Sequence, residues 1–175
     1  MDHDPQLVTG LFKDRDSVER AYKSVSSKGY GEKDVNIVMS DDTRKRHFAG
    51  ETTGNATTEL GNKAAKGAGV GGAVGGTIGA IAAAVAAIGT AVVIPGLGLV
   101  VAGPLAAALA GAGAGAASGG LIGALVGWNI PEERVKHYEE GIKQGGILMG
   151  VKPRSAADAA HFEEEWKRDG EHVYR

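Results

Sequence analysis

The sequence predicts an α+β protein: a ferredoxin-like domain of two β-α-β units, carrying a long inserted Gly/Ala-rich α-helical hairpin. Three observations predict it. Short strand–helix–strand patterns occupy both ends of the chain, at residues 7–40 and 147–174. Every Lys, Arg, Asp, Glu and His lies at or before Lys66 or at or after Glu132. The uncharged stretch between them, residues 67–129, holds 18 of the 29 glycines, many at four-residue spacing.

Taken in order, residues 7–12 read as a strand rich in β-branched and aromatic residues. Asp16 followed by Glu19 is a capping-box pattern, and Val18, Ala21, Tyr22 and Val25 then fall at helical spacing until Lys28-Gly29. Val35 to Ser40 reads as the second strand, which closes the first half-domain at residues 1–40. Residues 41–56 are polar and read as a linker. Its Arg44, Lys45 and Arg46 suit either a solvated loop or contact with anionic headgroups, worth roughly 1 kcal/mol each at such a surface.

Residues 57–130 form the predicted hairpin. One glycine ladder comprises Gly67, Gly71, Gly75 and Gly79; the other comprises Gly111, Gly115, Gly119, Gly123 and Gly127. Four-residue spacing puts each ladder on one helix stripe, a groove in which another helix backbone can lie close. Beside the first ladder runs a ridge of Val70, Val74, Ile78, Ile81, Val85, Ile88 and Val92. Pro95, Gly96, Gly98, Gly103 and Pro104 mark the expected turn between the two helices, since proline and glycine break helices. Nine ladder glycines would destabilise helices in water by roughly 7–9 kcal/mol relative to alanine. Lipid or a dry protein interior suits them better, because there the backbone must satisfy its own hydrogen bonds.

Residues 131–175 complete the domain. Pro131, Glu132 and Glu133 open a helix, with proline and carboxylates where the N-terminus favours them, and Gly145-Gly146 closes it. Residues 147–151 form a strand, Ser155 and Asp158 cap a further helix, and His172-Val173-Tyr174 forms an edge strand.

Composition narrows the function. A formal charge of −2 gives no electrostatic reason to expect a nucleic-acid partner. No cysteine is present, which removes disulfides, thiolate metal sites and thiol catalysis, and fits a reducing compartment. The acidic, polar start, Met1-Asp2-His3-Asp4-Pro5, is the wrong flank for a secretory signal. The mean hydropathy of −0.10 is that of an ordinary soluble protein and conceals the sharp partition of charge.

The segments Ile94-Pro95-Gly96-Leu97-Gly98, Ala102-Gly103-Pro104-Leu105, Ile130-Pro131-Glu132-Glu133, Tyr138-Glu139-Glu140-Gly141 and Gly145-Gly146 resemble those of bacterial general stress proteins. Relatives in that family are labelled low-temperature-induced or heat-induced stress proteins. Leu11-Phe12-Lys13-Asp14-Arg15-Asp16 and Gly29-Tyr30 fit the same family's first unit. The resemblance covers nearly the whole chain and is weak at residues 41–66. It implies a bacterial, membrane-associated or stress-linked protein and supplies no catalytic residues.

Other constellations lack context. Gly67, Gly69 and Gly72 satisfy G-x-G-x-x-G formally, but no strand precedes them and no acid follows until Glu132, so no dinucleotide cofactor is expected. His161 before Glu163, Glu164 and Glu165, and His137 one turn after Glu133, have a spacing that metal sites use. Ligands converging from elsewhere would be needed, and a solvated helix face explains these charges more economically. No serine lies in a nucleophile-elbow sequence. An uncharged apolar block also argues against ion-coupled transport.

The expectation is therefore a non-enzymatic, membrane-associated stress protein that self-assembles through its glycine-ladder hairpins in a structural, membrane-stabilising or remodelling role, without cofactor, metal or catalytic residues. Its partners are further copies of itself and a lipid bilayer, with no nucleic acid and no identified small-molecule substrate, and its α+β domain lies in the cytoplasm. The alternatives are a soluble oligomer with a dry Ala/Gly helical core, or a ligand-binding ferredoxin-like module anchored by the hairpin.

Overall fold

The structure, a computed structural model, describes residues 7–48, 92–94, 98–106, 125 and 130–175. Six strands form one sheet whose neighbouring strands all run antiparallel. They are β1 (Val8–Phe12), β2 (Val35–Ser40), β3 (Val92–Ile94), β4 (Leu99–Ala102), β5 (Ile147–Val151) and β6 (Glu171–Tyr174), in the order β3-β4-β2-β5-β1-β6. Among the described residues, four α-helices accompany them: α1 (Arg15–Ser26), α2 (Asp41–Phe48), α3 (Glu132–Lys143) and α4 (Ala156–Trp166). The protein is thus of the mixed α+β class.

Both faces of the sheet are covered. On the first, α1 and α4 contribute Val18, Tyr22, Val25, Phe162 and Trp166 to a core with Phe12, Ile37, Met39 and Ile147. Trp166 packs edge-on to Phe12, with ring centroids 5.8 Å apart, and donates its indole N–H to Ala21 O at 3.3 Å. On the second face, Val135, Tyr138 and Ile142 of α3 cluster with Leu11, Val38, Val101 and Leu148. This two-sided burial explains why β5 reads as a continuous apolar run, and β2 as one interrupted only by Asn36 before its terminal Ser40, instead of alternating.

Local chemistry sets the helix ends. The N-cap of α1 is Asp14, two residues before the expected Asp16. Its carboxylate accepts from the Ser17 N–H at 2.8 Å and from the Ser17 hydroxyl at 2.9 Å. The bond from the Ser17 N–H holds the Asp14 carboxyl below its usual range, against the opposing effect of desolvation. Ser155 caps α4 as expected, accepting from the Asp158 N–H at 3.1 Å.

The polar stretch expected to be a linker over 41–56 is helical in its first half. Ser40 accepts from the Thr43 N–H at 3.0 Å, and Asp41 pairs with Arg44 at 2.8 Å and with Lys45 at 2.6 Å. A cap and pairs at helical spacing make this helix with hardly any apolar periodicity, and periodicity is the signal on which a linker and a helix are told apart.

A larger difference lies inside the expected hairpin. Residues 92–94 and 99–102 are strands. β4 pairs with β2 from Ile37↔Ala102 to Ser40↔Leu99, and β3 pairs with β4 from Val92↔Val101 to Ile94↔Leu99. Val92, placed by its spacing on the helical ridge, lies in β3, and the expected turn residues Gly98 and Gly103 border β4. The physical reason is long-range: runs of three and four residues are too short to signal a strand locally, and their backbone groups are satisfied only when β4 joins the edge of β2 and β3 joins β4.

Candidate functional site

Two places stand out, and the first is where the apolar block joins the sheet. Gly103 follows β4 with φ +100, a left-handed conformation that glycine adopts without a Cβ penalty. A Cβ there would collide with the Val35 carbonyl oxygen and lie 3.0 Å from the Asn36 Cα, so the close approach to β2 also excludes a side chain. Pro104 then occupies the first position of a helical turn over 104–106, where its missing N–H is harmless. The next N–H, that of Leu105, donates to Asn36 Oδ1 at 2.8 Å. Asn36 therefore caps this turn from a strand distant in sequence.

The far end of the block returns to the same face. The Ile130 N–H donates to Leu125 O at 3.3 Å, a pattern found where helices terminate. Leu105, Ala106, Leu125 and Ile130 are all buried in the apolar cluster with α3.

The second place is the interface of α3 with the edge strand β6. Tyr138 is fully buried, with its hydroxyl 2.7 Å from Thr9 Oγ1 and donating to His172 O at 3.0 Å. Because Tyr138 commits its proton to His172 O, Thr9 must supply the proton between the two hydroxyls. Burial pushes the Tyr138 pKa up to about 12, and the Thr9 bond partly opposes that rise.

The ladder between β1 and β6 is irregular between the pairs Thr9↔Tyr174 and Leu11↔Glu171, which places two residues of β6 opposite Gly10. His172 lies in this bulge with φ +49, the only non-glycine residue with positive φ among the described residues. A bulge residue in that conformation is ordinarily glycine. The His172 imidazole stacks on that of His137, with centroids 5.2 Å apart and planes 4° from parallel. Next to them the Arg134 guanidinium sits 4.1 Å over the Tyr174 ring.

The sequence-derived candidates fall unevenly on this structure. Gly67, Gly71, Gly75, Gly79, Gly111, Gly115, Gly119, Gly123 and Gly127, together with the turn residues Pro95 and Gly96, lie outside the described residues. Gly98, Gly103 and Pro104 are described, and they flank β4 instead of joining two helices. Of the Glu/His pairs, Glu163 is engaged with Lys167 at 2.6 Å and Arg175 at 3.0 Å, and Glu165 with Arg168 at 2.9 Å. His137 instead meets His172. Among the described residues, no three His, Asp or Glu side chains converge as metal ligands. Sequence reasoning missed Asn36, Tyr138 and His172; only Asn36 carried a signal, as the one amide inside a mostly apolar strand.

These elements define an α+β protein whose sheet is covered on both faces, the second partly by the ends of its own uncharged block. Beyond that class, no family model, no curated protein and no solved structure matches the chain.

Proposed function

We propose that this chain is a non-enzymatic structural protein that self-associates through its glycine-patterned segments, attached to a membrane from the cytoplasmic side. The α+β domain, read as ferredoxin-like, organises the assembly. Supporting that finer reading of the fold, the strands of its two β-α-β units lie in the order β2-β5-β1-β6, which interleaves the two halves. A stress-linked role is what the resemblance to bacterial general stress proteins adds.

One observation carries the mode of attachment: β4, in the middle of the uncharged block, is hydrogen-bonded to β2. The block is thereby divided into two pieces, with β4, a part of the expected tip, held to the domain. From Ala106 to Leu125, both in one apolar cluster, the intervening residues 107–124 number eighteen. A helical path through them would be about 27 Å long. Crossing a hydrocarbon core about 30 Å thick and returning needs more than twice that length. The uncharged residues 67–91 before β3 number twenty-five, about 38 Å as a helix, so neither piece is long enough for a double crossing and both engage lipid or other copies from the domain's side.

The absence of cysteine makes a direct test possible. Pro104→Cys and Lys28→Cys, both at exposed positions, are to be treated with a membrane-impermeant maleimide in sealed inverted vesicles. Equal labelling of both is expected. Labelling of Lys28→Cys alone would place residue 104 across the bilayer and overturn this topology. Fractionation tests the attachment itself: a protein wholly soluble and monomeric without detergent would refute the proposal.

The alternative of a soluble assembly has one observation in its favour: the uncharged block is mostly alanine and glycine, which are weakly apolar and insert poorly into lipid. Large particles free of both detergent and lipid would favour it.

A further inference from the structure

We infer that His137 and His172 form a two-imidazole site for a borderline divalent metal ion of the zinc, nickel or copper class. Neutral imidazole is the commonest protein ligand for such ions. On α3 alone, His137 offers one ligand. The fold supplies the second from the edge strand β6, in a parallel stack with 5.2 Å between centroids. Histidine χ2 is broad, so modest ring rotations can turn a nitrogen of each ring towards one ion at about 2.0–2.1 Å. Both side chains are exposed, which leaves room for water in the remaining coordination positions.

A second observation points to the His172 side chain. It occupies a bulge with φ +49, where a side chain is disfavoured and glycine would be unstrained. The Tyr138 hydroxyl holds its carbonyl at 3.0 Å, which fixes the backbone that aims the ring at α3. Strain sustained by its surroundings in this way is characteristic of functional positions. A bound ion would clip the edge strand β6 to α3, linking a terminal element to the second apolar layer. Such a site is independent of how the uncharged block is used.

The test uses the full chain, free of any affinity tag, with zinc ion alone as the probe. Zinc is expected to raise the thermal midpoint of the wild type, and a chelator to reverse the rise. His137→Gln and His172→Asn are expected to fold as the wild type and to bind zinc at least ten-fold more weakly by calorimetry. Asparagine tolerates the left-handed conformation, so His172→Asn keeps the bulge. His161→Gln should retain the full zinc response. A wild type that zinc leaves unchanged, or a His137→Gln variant with wild-type affinity, would overturn the inference. Should His172→Asn fail to fold, the exposed His137 position alone decides.

Discussion

The backbone N–H of Leu105 donates to the side-chain oxygen of Asn36 at 2.8 Å, across 69 residues of sequence and in a buried setting. A helix start has N–H groups without intrahelical partners, and the residue that precedes this turn is Gly103, which has no side chain to offer. Asn36 supplies the missing acceptor from β2. The bond joins the sheet to the turn at which the second part of the uncharged block begins, so its loss should be felt at both.

Asn36→Leu is therefore expected to lower stability by about 1–3 kcal/mol, the desolvation cost of a buried N–H left without a partner. A urea titration should show a lower midpoint with an unchanged slope. A loss below about 0.5 kcal/mol, the lower end for a net hydrogen bond, would mean that water replaces the amide and that the cap contributes little.

Gly98 and Gly103 should respond differently to the same change. Both have positive φ, +60 and +100. At Gly98 nothing lies within 4 Å of an added Cβ, so Gly98→Ala should cost about 1–2 kcal/mol, the left-handed penalty alone. At Gly103 the Val35 carbonyl blocks the Cβ, and the loss should be clearly larger and accompanied by faster amide exchange along β4. Equal losses would refute the close approach of β4's end to β2.

Tyr138 makes stability depend on alkaline pH. Its folded pKa of about 12 exceeds the ordinary value of 10. The folded state thus holds this proton more tightly than the unfolded chain. The contribution is complete below pH 10 and is lost as pH rises towards 12, at roughly 1.4 kcal/mol for each pH unit crossed between those two values. Tyr138→Phe should be about 1 kcal/mol less stable at neutral pH, for its lost hydrogen bonds. Its stability should decline less steeply than that of the wild type over the same alkaline range, as followed by urea unfolding at each pH.

Tyr30 provides the acid counterpart. Its hydroxyl donates to Asp158 Oδ2 at 2.7 Å and accepts from the Arg154 N–H at 2.6 Å. The hydrogen bond from Tyr30 is the largest cause of a lowered Asp158 pKa. A lowered folded value gives stability that is present above about pH 4 and fades as pH falls through that value. Tyr30→Phe should therefore be less stable than the wild type at neutral pH, and the gap should narrow in acid. A gap that stays constant from neutral to strongly acid pH would remove Asp158 as its cause.

Much of the fold was legible in the sequence because its signals are local. β2 and β5 carry apolar runs with β-branched residues, Ser155 announces α4, and Pro131 with two glutamates announces α3. Such features act within a few residues, and neighbouring side chains satisfy them. The partition of charge around residues 67–129 is likewise a property of the chain itself. Tertiary structure alone decided that 92–94 and 99–102 are strands, that Asn36 caps Leu105, and that His172 stacks on His137. Each depends on a partner distant in sequence. A three-residue strand acquires its hydrogen bonds only when an edge is offered, and a histidine acquires a neighbour only when a bulge turns it towards a helix.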